Sequence, residues 1–566
     1  LGHHPSMDAV GELLHQLCDA PPPDRARLRK LKVSLATQSK RPLIRNDVLL
    51  SRYRQEVAGG RRRAVPAVER LLRLNSIRSE SGIATVTVIT KPYACPGRCV
   101  YCPTETRAPK SYLPNEPAVL RALRNDYDPY RQVRSRLEAL DQTGHPTDKI
   151  ELIIKGGTWS FYPQTYQRWF IQRCVDAANH FAPGSRLPRP AFHERRGGQA
   201  LGNSLQPPAS SLEPDSSSSV EEAQRANETA RNRIIGVTIE TRPDYISDEE
   251  IQRLRALGVT RVELGVQSLE EAVLSRVIRD HGTAEVRQAT QLLKDAAFKV
   301  AYHIMPNLPG ASPQSDVETA RRLFEDSGYQ PDALKLYPCV VLETAELSQW
   351  WREGRYQPYD DETLLELLVQ IKSVVPPYVR IERVIRDIPS TSIQAGCLFT
   401  NLREEVQRRM AARGLRCRCI RCRQVRGPHP GPFTFMRRSY AASEGLELFL
   451  SVEHLPSDRL ASLLRLRIPS LRARQAPHGI PALADAALIR ELHTYGQHLP
   501  LHERVEEAVQ HRGLGTQLLR AAERIAREEF GLRRMAVIAG VGVREYYRRL
   551  GYALQETYMV KALDGP

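Results

Sequence analysis

Three cysteines stand in one short run, Cys95-Pro-Gly-Arg-Cys99-Val-Tyr-Cys102. At this pitch, Cys-x3-Cys-x2-Cys, three thiolates can wrap one cubane iron–sulfur cluster and hold three of its four irons. The fourth iron is then open to an outside ligand. A closed electron carrier would take a fourth cysteine there, so an open iron points to chemistry on something the cluster binds. Zinc competes for the same residues, but zinc sites usually pair cysteines as Cys-x2-Cys and need a fourth ligand nearby. A disulfide would need an oxidising compartment.

A second group follows far downstream, Cys417-x-Cys419-x2-Cys422. With Cys397 as a fourth thiolate it would make a closed, structural zinc site. His429 competes with Cys397 for that place, and a buried free thiol is the alternative for Cys397 itself.

A third constellation is Gln510-His-Arg512-Gly513-Leu514-Gly515-Thr516. Its two glycines let a backbone approach a ligand closely, and amides at a helix start suit phosphate. The third glycine of the dinucleotide fingerprint is missing. A Gly-x-Gly of this kind otherwise marks only a helix cap. Tyr546 and Tyr547 follow in a short helical stretch before Gly551. Tyr547 could serve as an acid near a thioester, or both rings could simply pack.

The elements that must position these groups alternate. Six β-rich runs, 85–90, 150–154, 234–240, 261–266, 299–305 and 333–337, are mostly followed by amphipathic stretches such as 248–257 and 284–297. Such alternation predicts a parallel sheet, and six units predict a partial (β/α)6 barrel. Ligands then gather at the C-terminal ends of the strands, where the first cysteine run falls. Residues 182–230, rich in Pro, Gly and Ser, break the pattern and read as a surface insertion, disordered in part. Beyond residue 433 the expected strands are 446–452, 463–468, 487–494, 535–539 and 556–560, with helices at 514–529 and 543–550. The organisation expected is α/β throughout. A basic helical region spans 1–78, the barrel 79–390, a zinc-binding linker 391–432, and a smaller mixed α/β domain 433–566.

The 566-residue chain has 82 Lys and Arg against 65 Asp and Glu, a net charge of +17. That field favours a polyanion, most simply nucleic acid. Much of it lies in one stretch, Arg25, Arg27, Arg29, Lys30, Lys32, Lys40, Arg41 and Arg61 to Arg63. The stretch reads equally as a phosphate-binding arm or as solvated charge. No apolar run reaches membrane-spanning length and no signal core opens the chain, so a cytoplasmic location with no membrane partner is expected. Cys18, Cys174 and Cys339 read as core residues.

The cysteine run resembles the signature of radical S-adenosylmethionine (SAM) enzymes. The Gln510 loop, after a strand and opening a helix, resembles the acetyl-CoA loop of Gcn5-related N-acetyltransferases. Their union, with Lys91-Pro-Tyr-Ala-Cys-Pro, Gly236-Val-Thr-Ile-Glu-Thr-Arg-Pro-Asp244, Met305-Pro-Asn-Leu-Pro309 and Arg490-Glu-Leu-His493, resembles the Elongator catalytic-subunit family in its single-chain prokaryotic form.

The resemblance implies a tRNA uridine-34 carboxymethyltransferase that uses a 4Fe-4S cluster, SAM, acetyl-CoA and zinc. A SAM-derived radical would take a hydrogen from the acetyl methyl group. The carbon radical would add to uridine C5, and oxidation and thioester hydrolysis would leave 5-carboxymethyluridine. By position, Cys95, Cys99 and Cys102 match cluster ligands, and Gly156 and Gly157 a pair that lets SAM approach. Glu240, Arg242 and Gln267 match SAM contacts, although Glu240 and Arg242 also suit a surface salt bridge. Lys149, Glu491, Leu492, His493, Thr494, Gln510, Arg512, Gly513, Leu514, Gly515, Thr516 and Tyr547 match acetyl-CoA contacts, with Lys149, Tyr546 and Tyr547 nearest the chemistry. Lys335 is expected at the barrel mouth, facing CoA or tRNA phosphate. An electron donor is implied, and monomer and homodimer are both open. A protein lysine acetyltransferase with an RNA-binding barrel, and a tRNA-binding module with a structural cluster, are the rival readings.

Overall fold

The computed structural model describes residues 7–40, 42–73, 82–185, 219–426, 429, 431–496 and 513–563. Two seven-stranded sheets dominate it. The first holds β1 (Ala84–Ile89), β2 (Lys149–Lys155), β3 (Arg233–Thr241), β4 (Arg261–Gln267), β5 (Lys299–Ile304) and β6 (Ala333–Leu336). A two-residue β7 (Val341–Leu342) follows, and β8 (Arg380–Arg383) closes the first sheet in the order β1-β2-β3-β4-β5-β6-β8, parallel throughout. Right-handed crossover connections between parallel strands place helices on one face. These include Gln164–Asn179, Asp248–Ala256, Thr283–Asp295 and Pro313–Glu325. Ser247 and Ser312 cap two of them by accepting from Glu250 and Ser315 N–H. Among the described residues β1 and β8 do not pair, so the barrel is open.

The expected six units are therefore seven strands. The strand missed is Arg380-Ile-Glu-Arg383, whose inward groups are charged and carry no apolar alternation. The barrel interior as a whole departs from the usual Val/Ile/Leu filling. Lys155, Glu240, Arg261, Glu263, His303, Lys335 and Glu382 come from six different strands and bond to one another inside it.

Part of the stretch expected as an insertion, residues 219–230, is structured. Ser219 starts the helix Val220–Asn227 with a reciprocal capping box to Glu222. Glu228, just beyond that helix, is buried between Arg544 (2.9 Å) and Arg548 (2.6 Å). Residues 186–218 lie outside the described ones.

The second sheet contains β10 (Thr434–Ala442), β11 (Gly445–His454), β12 (Arg459–Ile468), β13 (Ala486–Thr494), β14 (Arg534–Val537), β15 (Ala553–Gln555) and β16 (Tyr558–Ala562). Its order is β10-β11-β12-β13-β14-β16-β15. The short β9 (Ile393–Ala395) pairs β7 in a two-stranded sheet of its own. β10, Phe-Met-Arg-Arg-Ser-Tyr in its middle, was not among the expected strands. β13 and β14 run parallel, paired only from Ala486 to Ile489. Past that point β13 pairs β12 alone, and Glu491 to Thr494 extend along the opening.

The two sheets meet through buried charge. Arg490 of β13 forks onto Asp332, the residue before β6, and also meets Glu447 of β11. Arg467 of β12 binds Asp295 at 2.8 Å and Glu447 at 3.2 Å, and Arg465 reaches Asp332 at 3.4 Å. Lys294 lies 3.8 Å from Asp332 and 3.6 Å from Glu447. All of these side chains are 0–2 % exposed. Burial alone would raise the Asp332 carboxyl. Arg490, Lys294 and Arg465 more than reverse that and hold it well below its ordinary range.

Four N-terminal helices, Met7–Asp19, Arg25–Ser39, Asn46–Ala58 and Pro66–Leu72, share a small core of Leu13, Leu14, Leu28, Leu49 and Tyr53. Arg54 ties them to Asp141 at 3.0 Å. Arg25, Arg27, Arg29, Lys30, Arg61 and Arg63 are exposed. Two cations of the expected arm are committed inside it: Lys32 is buried on Asn46 (2.7 Å) and Arg62 pairs with Glu56 (2.8 Å). Among the described residues no helix is long and apolar enough to cross a membrane.

Candidate active site

A cavity of about 620 Å³ opens at the C-terminal ends of the barrel strands, and Cys95, Cys99 and Cys102 line it. The run follows β1, and its chain folds tightly over Gly97. A Cβ there would stand 2.8 Å from Arg242 Nη1, 3.7 Å from Cys99 Sγ and 3.9 Å from Cys95 Sγ. The Cys99 thiol is drawn down to about 5: the hydrogen bond from Cys102 lowers it, burial opposes, and Arg279, 3.4 Å away, lowers it further. A thiolate is the ligand form, so Cys99 is prepared to bind a metal cluster. The three sulfurs do not gather as a single-ion site does, whereas those of Cys417, Cys419 and Cys422 all lie within 4.8 Å of one another. Thiolates on one zinc stand roughly 3.8 Å apart at Zn–S of about 2.3 Å, while cluster thiolates sit on different irons. The donor set fits a cluster at the first site and one ion at the second.

The walls also hold groups that await a ligand. Among the described residues Gln267 Oε1 is buried without a hydrogen-bond partner and lines the cavity, as does Tyr101, whose hydroxyl lies beside Cys99. Gln267 has a φ of 72°, a conformation costly for a residue with a side chain and concentrated at functional sites. These features fit a polar cofactor beside the cluster.

Glu240 lines the cavity without being a surface group. It is buried, accepts from Gly156 N at 3.0 Å, Gly157 N at 3.1 Å and Tyr112 Oη at 2.5 Å, and meets Lys155 Nζ at 3.1 Å. Burial would raise it, but Lys155, helped by His303 when that ring is protonated, brings it to about 2. Arg242 is buried too and forks onto Asp244 at 2.8 and 2.9 Å, so the surface salt-bridge alternative falls. Gly156 has no room for a side chain: its φ is 151°, and a Cβ would stand 1.6 Å from Thr90 Oγ1. Gly157 lines the cavity itself.

Lys335 is a correction. It does not reach the mouth but is 3 % exposed, its ammonium bonded to Glu263 beneath the cavity. Alternation along Leu334-Lys-Leu336 put it on the inner face, and the inner face of this barrel is full of charge. His303, unmarked in the sequence, faces the cavity beside Glu263. Only knowledge of the charged interior would have singled it out.

The residues expected to meet acetyl-CoA gather elsewhere. Gly513, with a φ of 68°, precedes the helix Leu514–Glu528. A Cβ on Gly515 would stand 3.5 Å from Tyr546 Oη, 3.6 Å from Thr494 Oγ1 and 3.9 Å from Leu492 Cδ1. The opened end of β13, the helix start and Tyr546 thus converge, with Thr516 Oγ1 at 3.4 Å from Tyr546 Oη. Tyr547 is buried, edge-on to Tyr546 and Tyr552. Gln510 and Arg512 lie outside the described residues. Glu491 is held by Lys299 of β5 and by Arg465 at 2.8 Å, so the barrel itself fixes this strand. The His493 ring is lowered to about 4 by burial, with Arg380, Lys299 and Lys149 adding to the effect against Glu491. Lys149 therefore lies in the field of the open end of β13. It starts β2, whereas Lys155, in the cluster cavity, ends it. At about 3.3 Å per residue the two sites stand roughly 20 Å apart along one strand.

Cys397 stands apart from the second cysteine group. Its buried thiol is not part of the close group, which among the described residues numbers Cys417, Cys419 and Cys422. His429 packs instead against His454 and Phe433. Hydrogen bonds from Cys417 and Cys422 depress the Cys419 thiol well below its ordinary value, which supplies an anion for a cation. Purified protein is expected to carry about one zinc per chain by elemental analysis. Cys419→Ser is expected to lose it, and full zinc retention in that variant would exclude this site.

The radical SAM superfamily model matches residues 210–323 and the radical SAM C-terminal domain model residues 331–412. The acetyltransferase (GNAT) family model matches residues 504–552. The cysteine run lies upstream of all three. The tRNA uridine(34) acetyltransferase of Dehalococcoides mccartyi is 47 % identical over 494 residues, covering 86 % of this chain and 99 % of that protein. Human Elongator complex protein 3 is 38 % identical over 509 residues, 87 % of this chain and 86 % of that one. The chain belongs to the Elongator complex protein 3 family. The solved archaeal Methanocaldococcus infernus Elp3 with an N-terminal deletion aligns with a TM-score of 0.69 at 40 % identity, covering 85 % of this chain and 99 % of that one. As an Elongator complex protein 3 family member the chain is an enzyme that joins a radical SAM half-barrel, with its 4Fe-4S cluster and SAM, to an acetyl-CoA-binding domain.

Proposed function

We propose that this enzyme converts the wobble uridine 34 of tRNA to 5-carboxymethyluridine, in the cytoplasm, with acetyl-CoA as the carbon source. The observation that carries the reading is β2, which joins a cysteine-lined cavity to the field of an acetyl-CoA strand within one rigidly paired sheet. When bound, the cluster and SAM supply a radical able to take a hydrogen from an unactivated methyl group. Ordinary acyl transfer cannot do this work, because uridine C5 is a poor nucleophile and an acetyl C–H is hardly acidic. Cys95, Cys99 and Cys102 would hold the iron. Arg242, Gln267 and Tyr101 would orient SAM. Leu492, Thr494, Gly515, Thr516 and Tyr546 would seat acetyl-CoA, and Lys149 would meet it from the barrel. Mass spectrometry of tRNA after anaerobic reconstitution with SAM, reductant and acetyl-CoA tests this. A new 5-carboxymethyluridine is expected, together with 5′-deoxyadenosine. Acetyl-lysine on protein with unmodified tRNA would sink the reading in favour of a lysine acetyltransferase.

The exposed cations of the N-terminal helices would lie on tRNA phosphates. Removing residues 1–78 is expected to weaken tRNA binding and to flatten its salt dependence by about 0.7–0.9 in log–log slope for each phosphate that is no longer neutralised. An unchanged slope would mark these helices as solvated charge.

A further inference from the structure

Radical addition at uridine C5 leaves that carbon with both its hydrogen and the new substituent. Restoring the ring requires loss of one electron and then of the C5 proton, and the proton needs a base. The cavity holds few candidates. Asp387 at its rim pairs with Arg383 at 2.6 Å. Glu240 accepts from two backbone N–H groups and Tyr112 and is paired with Lys155. Glu263 receives Lys335, Lys155, His303 and Arg261. Glu116 accepts from Leu113 N at 3.0 Å and Arg386 at 3.3 Å. Tyr101, Tyr112 and Tyr337 are phenols whose burial raises them.

His303 differs from all of these. Its Nε2 stands 2.9 Å from Glu263 Oε2. Burial would raise Glu263, but Lys155, Lys335 and Arg261 reverse this and keep it an acceptor-only carboxylate, so Nε2 must carry the hydrogen. The neutral ring then has its lone pair on Nδ1. That atom has no hydrogen-bond partner among the described residues, is not among the buried unpartnered atoms, and belongs to a residue lining the cavity. Tyr337 braces the ring edge-on at 5.4 Å. Glu240, Glu263 and His303 place ligand atoms within 4.8 Å, but the Lys155 ammonium bonds both carboxylates there, so the group is not a metal site.

We propose that His303 is the catalytic base that removes the C5 proton of the tRNA uridine, with Glu263 as the residue that fixes its tautomer. The proposal rests on the carboxymethylation reading above. The cluster, when bound in its oxidised form, would supply the one-electron acceptor, and the C5–H bond then breaks. Its electron pair closes the C5=C6 double bond, and the proton goes to Nδ1. The imidazolium so formed keeps its Nε2–H on the Glu263 carboxylate, the arrangement that stabilises a histidine base in acyl-transfer enzymes.

The test is His303→Gln, whose amide can still donate to Glu263, assayed anaerobically with tRNA carrying 5-deuterated uridine. Formation of 5′-deoxyadenosine and tRNA affinity are expected within about twofold of wild type, while product formation falls by about 10²–10⁴, the usual worth of a general base. A nucleoside saturated at C5–C6 is expected to accumulate, and the residual product rate should show a primary isotope effect. His303→Ala with added imidazole should recover product. In the wild type, product formation should decline as pH falls below the ordinary imidazole range, while 5′-deoxyadenosine formation should not. Burial lowers His303, Glu263 opposes, and Lys335 and Lys155 add to the lowering, with Glu240 facing from β3. Undiminished product from His303→Gln, or an isotope effect appearing in Glu116→Gln instead, would overturn the assignment. Should the two His303 variants fail to fold, a wild-type product profile flat through this pH range would also overturn it. Wild-type enzyme that makes no carboxymethyluridine would sink the reading beneath it.

Discussion

Cys99→Ala is expected to abolish tRNA modification, by more than about a thousandfold, and to leave tRNA affinity within about twofold. Cys99 is the central member of the run, 6 % exposed, and its thiol is drawn to about 5 by Cys102 and then Arg279 against burial. That shift favours the thiolate, the form that binds iron. With two thiolates left, a cluster of four irons loses a corner of its cradle, and Arg279 faces no anion there. The exposed cations that would meet phosphate belong to other elements: Arg25, Arg27, Arg29 and Lys30 sit on a helix with its own small core. Iron content and visible absorption after reconstitution check the first half, and a gel shift at fixed salt the second. A variant that keeps its cluster and still forms 5′-deoxyadenosine would contradict the ligand assignment. A large loss of affinity would show that the cysteine loop itself binds tRNA.

Asp332→Ala is expected to be the most destabilising single change at the meeting of the two sheets. The carboxylate is fully buried and faces Arg490, Arg465 and Lys294. Its loss leaves three cations without their shared partner, and breaking a buried pair in this way costs about 3–5 kcal/mol. Glu221→Ala, which removes a pair with Arg168 about half exposed on both sides, should cost about 0–1 kcal/mol. Denaturant unfolding of both variants makes the comparison. The pH dependence has a definite sign. Asp332 is held below its ordinary value near 3.9, so its stabilisation is fully present above that value and fades as pH falls beneath it. The variant should lack that part of the acid sensitivity. Equal stability of the two variants would mean that the interface relaxes to admit water.

Most of the strand order was legible because apolar runs and amphipathic helices alternate between residues 84 and 336. What hid was charge placed where charge is unusual. Arg380-Ile-Glu-Arg383 carries its charge toward the barrel interior, so no period marked it as a strand. Leu463-Leu-Arg-Leu-Arg-Ile468 reads as a strand with a wet face, since alternation normally means one side in water. Here that face is covered by the barrel, and Arg465 and Arg467 are matched by acids more than a hundred residues upstream. Lys335 and His303 belong to the same class. The cysteine triplets carried their own signal, because ligand spacing is local. Cys397 lies outside the close group, and spacing alone does not name a fourth ligand.

Arg490 and Asp332 are separated by 158 residues of chain. A ribosome adds roughly 5–20 residues each second, so Asp332 emerges about 10–30 s before its partner exists. Throughout that interval the nascent barrel must keep Asp295 and Asp332 hydrated on a face that will later be dry. The first half of the molecule is thus born with an unfinished surface, and its maturation is timed by the synthesis of the second.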